Sequence, residues 1–289
     1  MLVRPHDLLT AVTAGVRTKT GLVLAIGGER LALRGPALTL RALGARYDGF
    51  VLDDTTAGDG PERISIAIQH VNDRFVTAWT IPEPAAVGFD KRGQIEIRSP
   101  GVHASLDPVR GEAVVDRARD VGGIDVVIRA ALSTALPGHD ALLMHGAVLD
   151  GPPVPVLVCG ESGAGKSTVA RAFGAACDEL AVLRLDGAAV LLASTPYWAG
   201  RPSVTPLDRI VCLRRNPNRP GVRLLRGSAA LRALARHAAR YVNWPATDAA
   251  ILSVLGAVCE RVQVFDVACP EGSAFVPFLR EALDGSAEW

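Results

Sequence analysis

The chain has 289 residues, enough for one large domain or two smaller ones with a full hydrophobic core. Hydrophobic residues make up 49% and charged residues 21%, which argues against an intrinsically disordered chain. A formal net charge of +1 supplies no overall positive field for nucleic acid or an anionic membrane surface, so neither is expected as a partner.

The N-terminal stretch MLVRPHDLLTAVTAG carries polar residues throughout, unlike a signal peptide. No apolar run reaches the roughly 18–20 residues of a membrane span. Cys159, Cys177, Cys212, Cys259 and Cys269 are dispersed and form no CxxC. That pattern predicts small buried hydrophobes in a reducing compartment, not a disulfide framework or a structural zinc site. A cytoplasmic location is expected.

Residues 1 to about 108 read as strand-rich. GLVLAIGGERLALRG holds two apolar runs around GGE, a hairpin signal. RISIAIQHV alternates apolar and polar positions, as a half-buried strand does. RFVTAWTI and GQIEIRSP predict further strands, with FDKRGQIEI as a second hairpin, while TTAGDGPE and IPEPA are turn or loop clusters. His6, His70 and His103 are isolated from other ligand types and read as surface or packing residues.

From about residue 111 the pattern changes, and EAVVDRARDVGGIDVVIRAALSTAL reads as largely helical with a break at Gly122–Gly123. ALLMHGAVLDG and PVPVLVCG are two strand-length apolar runs. CDELAVLRLDGAAVLLAS predicts paired strands about Asp186–Gly187, and DRIVCLRR a further strand. Helices follow over GSAALRALARHAARYV, ATDAAILSVLGAVCERV and SAFVPFLREAL, with the strand QVFDVA between the last two. A β-rich front half thus precedes an α/β half.

GESGAGKST, residues 160–168, fits GxxxxGK[ST] in full, between an apolar strand and a helix-compatible segment. Glycines let the backbone wrap a phosphate without Cβ clashes, and the exposed N–H groups and helix N-terminus favour an anion there. The predicted nucleotide-binding residues are Gly160, Glu161, Ser162, Gly163, Ala164, Gly165, Lys166, Ser167 and Thr168. Lys166 can reach the β- and γ-phosphates of ATP, and the Ser167 hydroxyl can ligate magnesium. A lysine at the positive end of a helix dipole has no stabilising role without an anion. Such a loop also needs a carboxylate for the magnesium shell. Asp178–Glu179 is the nearest acidic pair downstream, and Asp266 a more distant alternative. His145 lies in the strand before the loop strand, near the phosphates if the two strands are neighbours. STPYWAGRPSVTP reads as an ordered loop that either lines an acceptor pocket through Arg201 or packs Trp198 over the core.

A histidine strand (LMHGAV), a loop of form GxSGxGKST and an acidic pair (CDEL) occur in one order. That order resembles the C-terminal kinase domain of the HPr kinase/phosphorylase family, and more closely the HPr-kinase-like serine kinases of bacterial biosynthetic clusters. The likeness covers about residues 125 to 283. It implies an α/β fold of the phosphoenolpyruvate-carboxykinase type, a P-loop on a mixed sheet, preceded by a β-rich N-terminal region. The implied division is residues 1–110 and 111–289. It further implies ATP and magnesium as cofactors, with Ser167 and Asp178 binding the metal. His145 would stand beside the transferring phosphate, and Asp178 or Glu179 would take the proton of an acceptor hydroxyl. The acceptor would be a peptide, protein or small molecule, and a homo-oligomer is possible. An ATP-binding regulator without transfer activity is the alternative. The sequence departs from the family in its Asp–Glu pair, where the HPr enzymes carry two aspartates. It departs again in a shorter interval between Lys166 and Asp178. The EVRG-type segment is absent too. HPr is therefore not the expected acceptor, nor is phosphorylase activity expected.

Overall fold

The computed structural model describes residues 21–52, 64–76, 85–91, 93–151, 155–197, 200–216 and 218–284. The expectations for His6, TTAGDGPE, most of IPEPA and Trp198 lie outside these residues.

The front half is a mixed sheet. β1 (Gly21–Ile26) and β2 (Glu29–Arg34) form the expected hairpin, turning at Gly27 and Gly28, both at positive φ. β3 (Ile64–Ile68), β4 (Val71–Val76), β5 (Ala86–Phe89), β6 (Ile95–Ser99), β7 (Val102–Asp107) and β8 (Glu112–Asp120) complete it, in the order β1-β2-β3-β8-β7-β6-β5 with β4 also against β8. β3 and β7 alternate strictly, burying Ile64, Ile66 and Ile68, and Val102, Ala104 and Leu106. A helix the strand-rich reading omitted, α1 (Ala37–Arg46), follows β2 and buries Thr39, Leu40 and Leu43.

EAVVDRARD is a strand, β8, not the first part of a helix. Its buried positions Ala113 and Val115 alternate as a strand's do, and a register shift against β7 then brings Ala118 inward before the helical period takes over. The helix α2 (Val121–Ala135) starts only where Asp120 caps it, its Oδ1 accepting from the Gly123 N–H at 2.8 Å. Gly122–Gly123 is therefore the first turn of α2, not a break within it. A Cβ on Gly123 would lie 2.6 Å from the Gly101 carbonyl oxygen, so the helix start and β7 approach closely enough to require glycine. The expected division between residues 110 and 111 falls between β7 and β8, neighbours in one sheet.

With its 3₁₀ continuation Leu136–His139, α2 is long and apolar enough by length and composition to cross a membrane, contrary to the expectation that no run is. Most of it is buried within the protein. Its residues join one cluster with the front sheet and with Ala141, Leu143, Leu180 and Val182 of the second sheet, so α2 packs between the two.

The second sheet is also mixed. It contains β9 (Ala141–Leu149), β10 (Val156–Gly160), β11 (Leu180–Asp186), β12 (Ala189–Ser194), β13 (Val204–Pro206), β14 (Arg209–Arg215), β15 (Gly221–Leu225) and β16 (Gln263–Cys269). Their order is β13-β12-β11-β9-β10-β14-β16-β15. β10, β14 and β16 run parallel, and the remaining neighbours pair antiparallel. Helices α3 (Lys166–Phe173) and α6 (Phe275–Asp284) belong to one hydrophobic cluster, and α4 (Gly227–Ala235) and α5 (Asp248–Arg261) to another. Layering on both sides of the sheet follows from its parallel centre, which must bury both faces. All five cysteines are free, and all but Cys259 are buried.

The two sheets are also joined by polar groups. Arg184 of β11 donates to Glu29 Oε1 at 2.6 Å and to the Gly27 carbonyl at 2.9 Å, and His139 Nδ1 lies 3.2 Å from Glu29 Oε2. Glu29 is buried, so these partners offset the cost of taking its charge out of water.

α4 is shorter than GSAALRALARHAARYV predicts, and ends at Ala235. β9 pairs with β10 only over Gly146–Leu149, because β10 turns away into the glycine loop. The β9 edge over 143–145 is left open on that side, and residues 237–239 fill it. The His145 N–H donates to the His237 carbonyl at 2.7 Å and the Ala239 N–H to the Leu143 carbonyl at 2.8 Å. Satisfying buried backbone groups of β9 outweighs continuing an exposed helix.

Candidate active site

The glycine loop follows β10, whose Gly160 stands opposite Leu213 of β14. Gly163 at φ +78° and Gly165 at φ +106° occupy conformations that L side chains rarely adopt. A Cβ on Gly165 would also sit 2.7 Å from the Phe275 ring. Ala164 is buried beneath the loop, its N–H bonded to the Glu161 carbonyl at 3.1 Å, while Glu161, Ser162 and Gly163 are exposed. α3 begins at Lys166, so the N–H groups of its first turn have no intrahelical acceptor. Ser167 and Thr168 lie exposed in that turn. Lys166 Nζ donates to the carbonyls of Gly160 at 2.7 Å and Glu161 at 3.1 Å, spanning the loop opening.

β9 lies antiparallel to β10, with Gly146 opposite Cys159, which brings His145 next to the loop. A cleft of about 500 Å³ is lined by His145, by Gly160, Glu161 and Ser162, and by His237 and Tyr241 of the segment after α4. A second cavity of about 310 Å³ opens on the other side of the loop, between Gly165, Thr168, Arg215 and Phe275.

The short interval before the acidic pair is met by clipping the helix. α3 has two turns and ends at Gly174, at φ +74°. Residues 176–179 then pair with β9: the Val148 N–H donates to the Cys177 carbonyl at 2.8 Å and the Gly146 N–H to the Glu179 carbonyl at 3.0 Å. Both acids are thereby carried along the strand that bears His145.

Their side chains differ in state. Asp178 is half-buried, within electrostatic reach of Lys166, and makes no hydrogen bond or ion pair among the described residues. Glu179 is bound by Arg129, with Nη1 to Oε1 at 2.8 Å and Nη2 to Oε2 at 3.3 Å. Arg129 also donates to Asp125 Oδ2 at 3.0 and 3.2 Å and to the Tyr241 hydroxyl at 3.1 Å, and stacks 4.0 Å over the Tyr197 ring. The Tyr47 hydroxyl, after α1, bonds Asp125 in turn. Burial works against the Arg129 charge, and Asp125 and Glu179 more than offset it, so the guanidinium stays charged. The expectation that either carboxylate could take a proton thus meets a difference: Glu179 is engaged and Asp178 is not.

The remaining residues singled out in the sequence lie elsewhere. Arg201 bonds Asp150 at 2.6 Å and ties its loop to the end of β9. Burial pulls the Asp150 carboxyl up, and hydrogen bonds from Arg201 and Ser203 pull it down further, so it lies below the usual carboxylate range. Asp266 is paired with Arg214 and Arg223. Among the described residues no group of three or more His, Cys, Asp or Glu could hold a metal ion. Arg129, Arg236, His237 and Tyr241 were not anticipated. An Asp125–Arg129 pair four residues apart in an apolar helix is a readable signal for the first; nothing local marks His237, which reaches the cleft because α4 stops early.

Electrostatics around Lys166 are tightly linked. Burial lowers the Lys166 pKa, against the opposing pull of Cys159 and Asp178. Burial and then the Lys166 charge lower both His145 and His237, opposed by Glu179 at the first and Glu161 at the second. Both imidazoles are thus held neutral near pH ~7. A histidine with a depressed folded pKa binds fewer protons folded than unfolded, so its stability contribution is present above the unfolded value and is lost as pH falls through the folded one. The melting temperature is therefore expected to drop as pH falls below about 6.5, and His145→Asn/His237→Asn to flatten that drop. Circular-dichroism melts from about pH 5 to about pH 8 check this; an unchanged slope in the double variant would refute it.

No family model matches the chain, and no curated protein matches it in sequence. Among solved structures, the HPr(Ser) kinase/phosphatase from Coxiella burnetii aligns with 50% of this chain and 94% of its own, at 14% identity and a TM-score of 0.29. That likeness is too slight to argue from. What stands is a mixed α/β protein with two mixed sheets.

Proposed function

We propose that the chain is an ATP- and magnesium-dependent kinase that transfers the γ-phosphate to a hydroxyl, serine being the first candidate. The observation that carries this reading is a carboxylate with no bonded partner among the described residues, Asp178, held in a segment paired with β9 and within electrostatic reach of Lys166. The loop's positive-φ glycines, the first-turn N–H groups of α3 and Lys166 would cradle the β- and γ-phosphates. On anion binding Lys166 would exchange its two loop carbonyls for phosphate oxygens. The 310 Å³ cavity beside Phe275 would take the base, with Ala164, Pro270 and the Phe275 ring to pack against it and Thr168, Arg215 and Glu271 to meet its polar edge.

A magnesium ion would neutralise charge on the phosphates, held by the Ser167 hydroxyl and one oxygen of Asp178. Such a site needs only one or two carboxylates, the rest of its shell being phosphate and water, so it does not require a larger acidic cluster. The acceptor hydroxyl would enter the His145–His237 cleft. Its oxygen bonds to the γ-phosphorus, the bridging oxygen leaves with ADP, and the hydroxyl proton passes to Asp178. His145, neutral, can hydrogen-bond a phosphoryl oxygen without adding repulsion to Lys166. Glu179, engaged by Arg129, holds the backbone of the pair in place. The cytoplasm is the compartment in which five free cysteines stay reduced.

Asp178→Asn is expected to bind ATP within a few-fold of wild type and to lose at least about 100-fold in transfer. The assay is label transfer from γ-labelled ATP into a lysate of the source cells, with ATP affinity measured separately. Full transfer by Asp178→Asn would overturn the assignment. The engaged Glu179 also favours a second reading, an ATP-binding regulator without transfer activity. Wild-type protein that binds ATP yet labels nothing would point there.

A further inference from the structure

We infer that the protein carries a binding groove for oxyanions, carboxylate or phosphate, on the far side of the phosphate loop from Phe275, and that it seats an anionic acceptor. The inference deepens the kinase reading and rests on it for the word acceptor alone. The groove, about 520 Å³, is lined by Arg214 of β14, Arg223 of β15, and Arg232 and Arg236 on or just past α4. It shares Glu161, Arg236 and His237 with the cleft that holds His145, so the two spaces adjoin at the loop.

Four guanidiniums face two carboxylates there, Glu161 and Asp266. Asp266 is already spent on Arg214, at 2.9 and 3.1 Å, and on Arg223, at 3.0 Å. Arg232 and Arg236 make no hydrogen bond or ion pair among the described residues, and both are exposed. They stand four residues apart, a like-charge spacing that destabilises a helix. The helix C-terminus rewards a cation in its last turn, but that does not account for the arginines contributed by two strands. Planar forks from three elements converging on one groove match carboxylate or phosphate oxygens. Leu213, Leu225 and Ala233 give the groove an apolar floor, against which a side chain or carbon skeleton can pack. The groove runs from Cys212 and Asp266, midway along β14 and β16, to Glu161 just past the carboxyl end of β10, the end at which α/β sheets bind ligands.

Two probes separate the sources of the anion: a fluorescein-labelled serine peptide flanked by glutamates, and free phosphoserine competing with it. Binding is read by anisotropy at low and high salt, on wild type and Arg232→Ala/Arg236→Ala, with melting temperature as the folding check. Wild type is expected to bind at least one probe, more weakly at high salt, and the double variant to bind it at least about tenfold more weakly. A peptide that phosphoserine cannot displace indicates an acidic polypeptide acceptor; binding of phosphoserine indicates a small anionic one. Equal binding by wild type and a folded double variant overturns the inference, as does binding of neither probe. ATP affinity of the wild type, measured alongside, keeps the two readings apart. Probe binding without ATP binding sinks the kinase and spares the groove; the reverse sinks the groove alone.

Discussion

Replacing Lys166 with alanine is expected to weaken ATP binding by about 100-fold or more and to abolish turnover. The Lys166 ammonium spans the loop opening, bonded to the Gly160 and Glu161 carbonyls, where the β- and γ-phosphates would lie. A hydrogen bond to a charged group contributes roughly 1.5–3 kcal/mol, and two such contacts account for about two decades in affinity. The substitution removes no apolar core contact, so the melting temperature should move by only a few degrees or less. Calorimetric titration with ATP, beside a melt of each protein, measures both quantities. A folded Lys166→Ala that binds ATP as wild type does would mean that the loop is a structural turn.

The largest expected stability loss belongs to Arg129→Met. Its guanidinium neutralises Asp125, which is wholly buried, and Glu179, which is partly so. Methionine fits much of the volume but takes the guanidinium from both carboxylates, and among the described residues Asp125 then keeps only the Tyr47 hydroxyl. Removing one partner of a buried charge network costs about 3–5 kcal/mol, roughly 10 °C in melting temperature for a chain of this size. Asp125→Asn/Arg129→Met should recover part of the loss, since the wholly buried stranded charge is gone and only the partly exposed Glu179 lacks its cation. Urea unfolding of the three proteins checks the order. A single variant melting within a degree or two of wild type would show that the network does not hold α2 between the sheets. Because Glu179 hangs from Arg129, the same variant should also reduce transfer, linking the buried helix to the site.

Much of the architecture was legible because it depends on local chemistry. Alternation marked β3, and the GG and Asp186–Gly187 turns marked hairpins, since a period of two and a positive φ are properties of a few consecutive residues. EAVVDRARDVGG was misread because a strand and a helix meet in it. The capping bond from Asp120 to Gly123, not the glycine pair, divides them. GSAALRALARHAARYV was read as too long a helix because its last third answers an open edge of β9, which no window on that segment contains.

For the site, the sequence by itself determined the glycine loop between a strand and a helix, the lysine and serine at its end, and the order of histidine strand, loop and acidic pair. Each rests on spacing along the chain: a glycine that must adopt positive φ, a lysine on the first turn of a helix. The tertiary structure alone decided which carboxylate is engaged. Asp178 and Glu179 are chemically near-equivalent in sequence, and an arginine 50 residues upstream of Glu179 makes them unequal by binding one. It also decided that His237 joins His145 and that four arginines, from β14, β15, α4 and the residue just past α4, line one groove. Charge and hydrogen bonding act through space over a few ångströms, and only folding brings residues so far apart in the chain within that range.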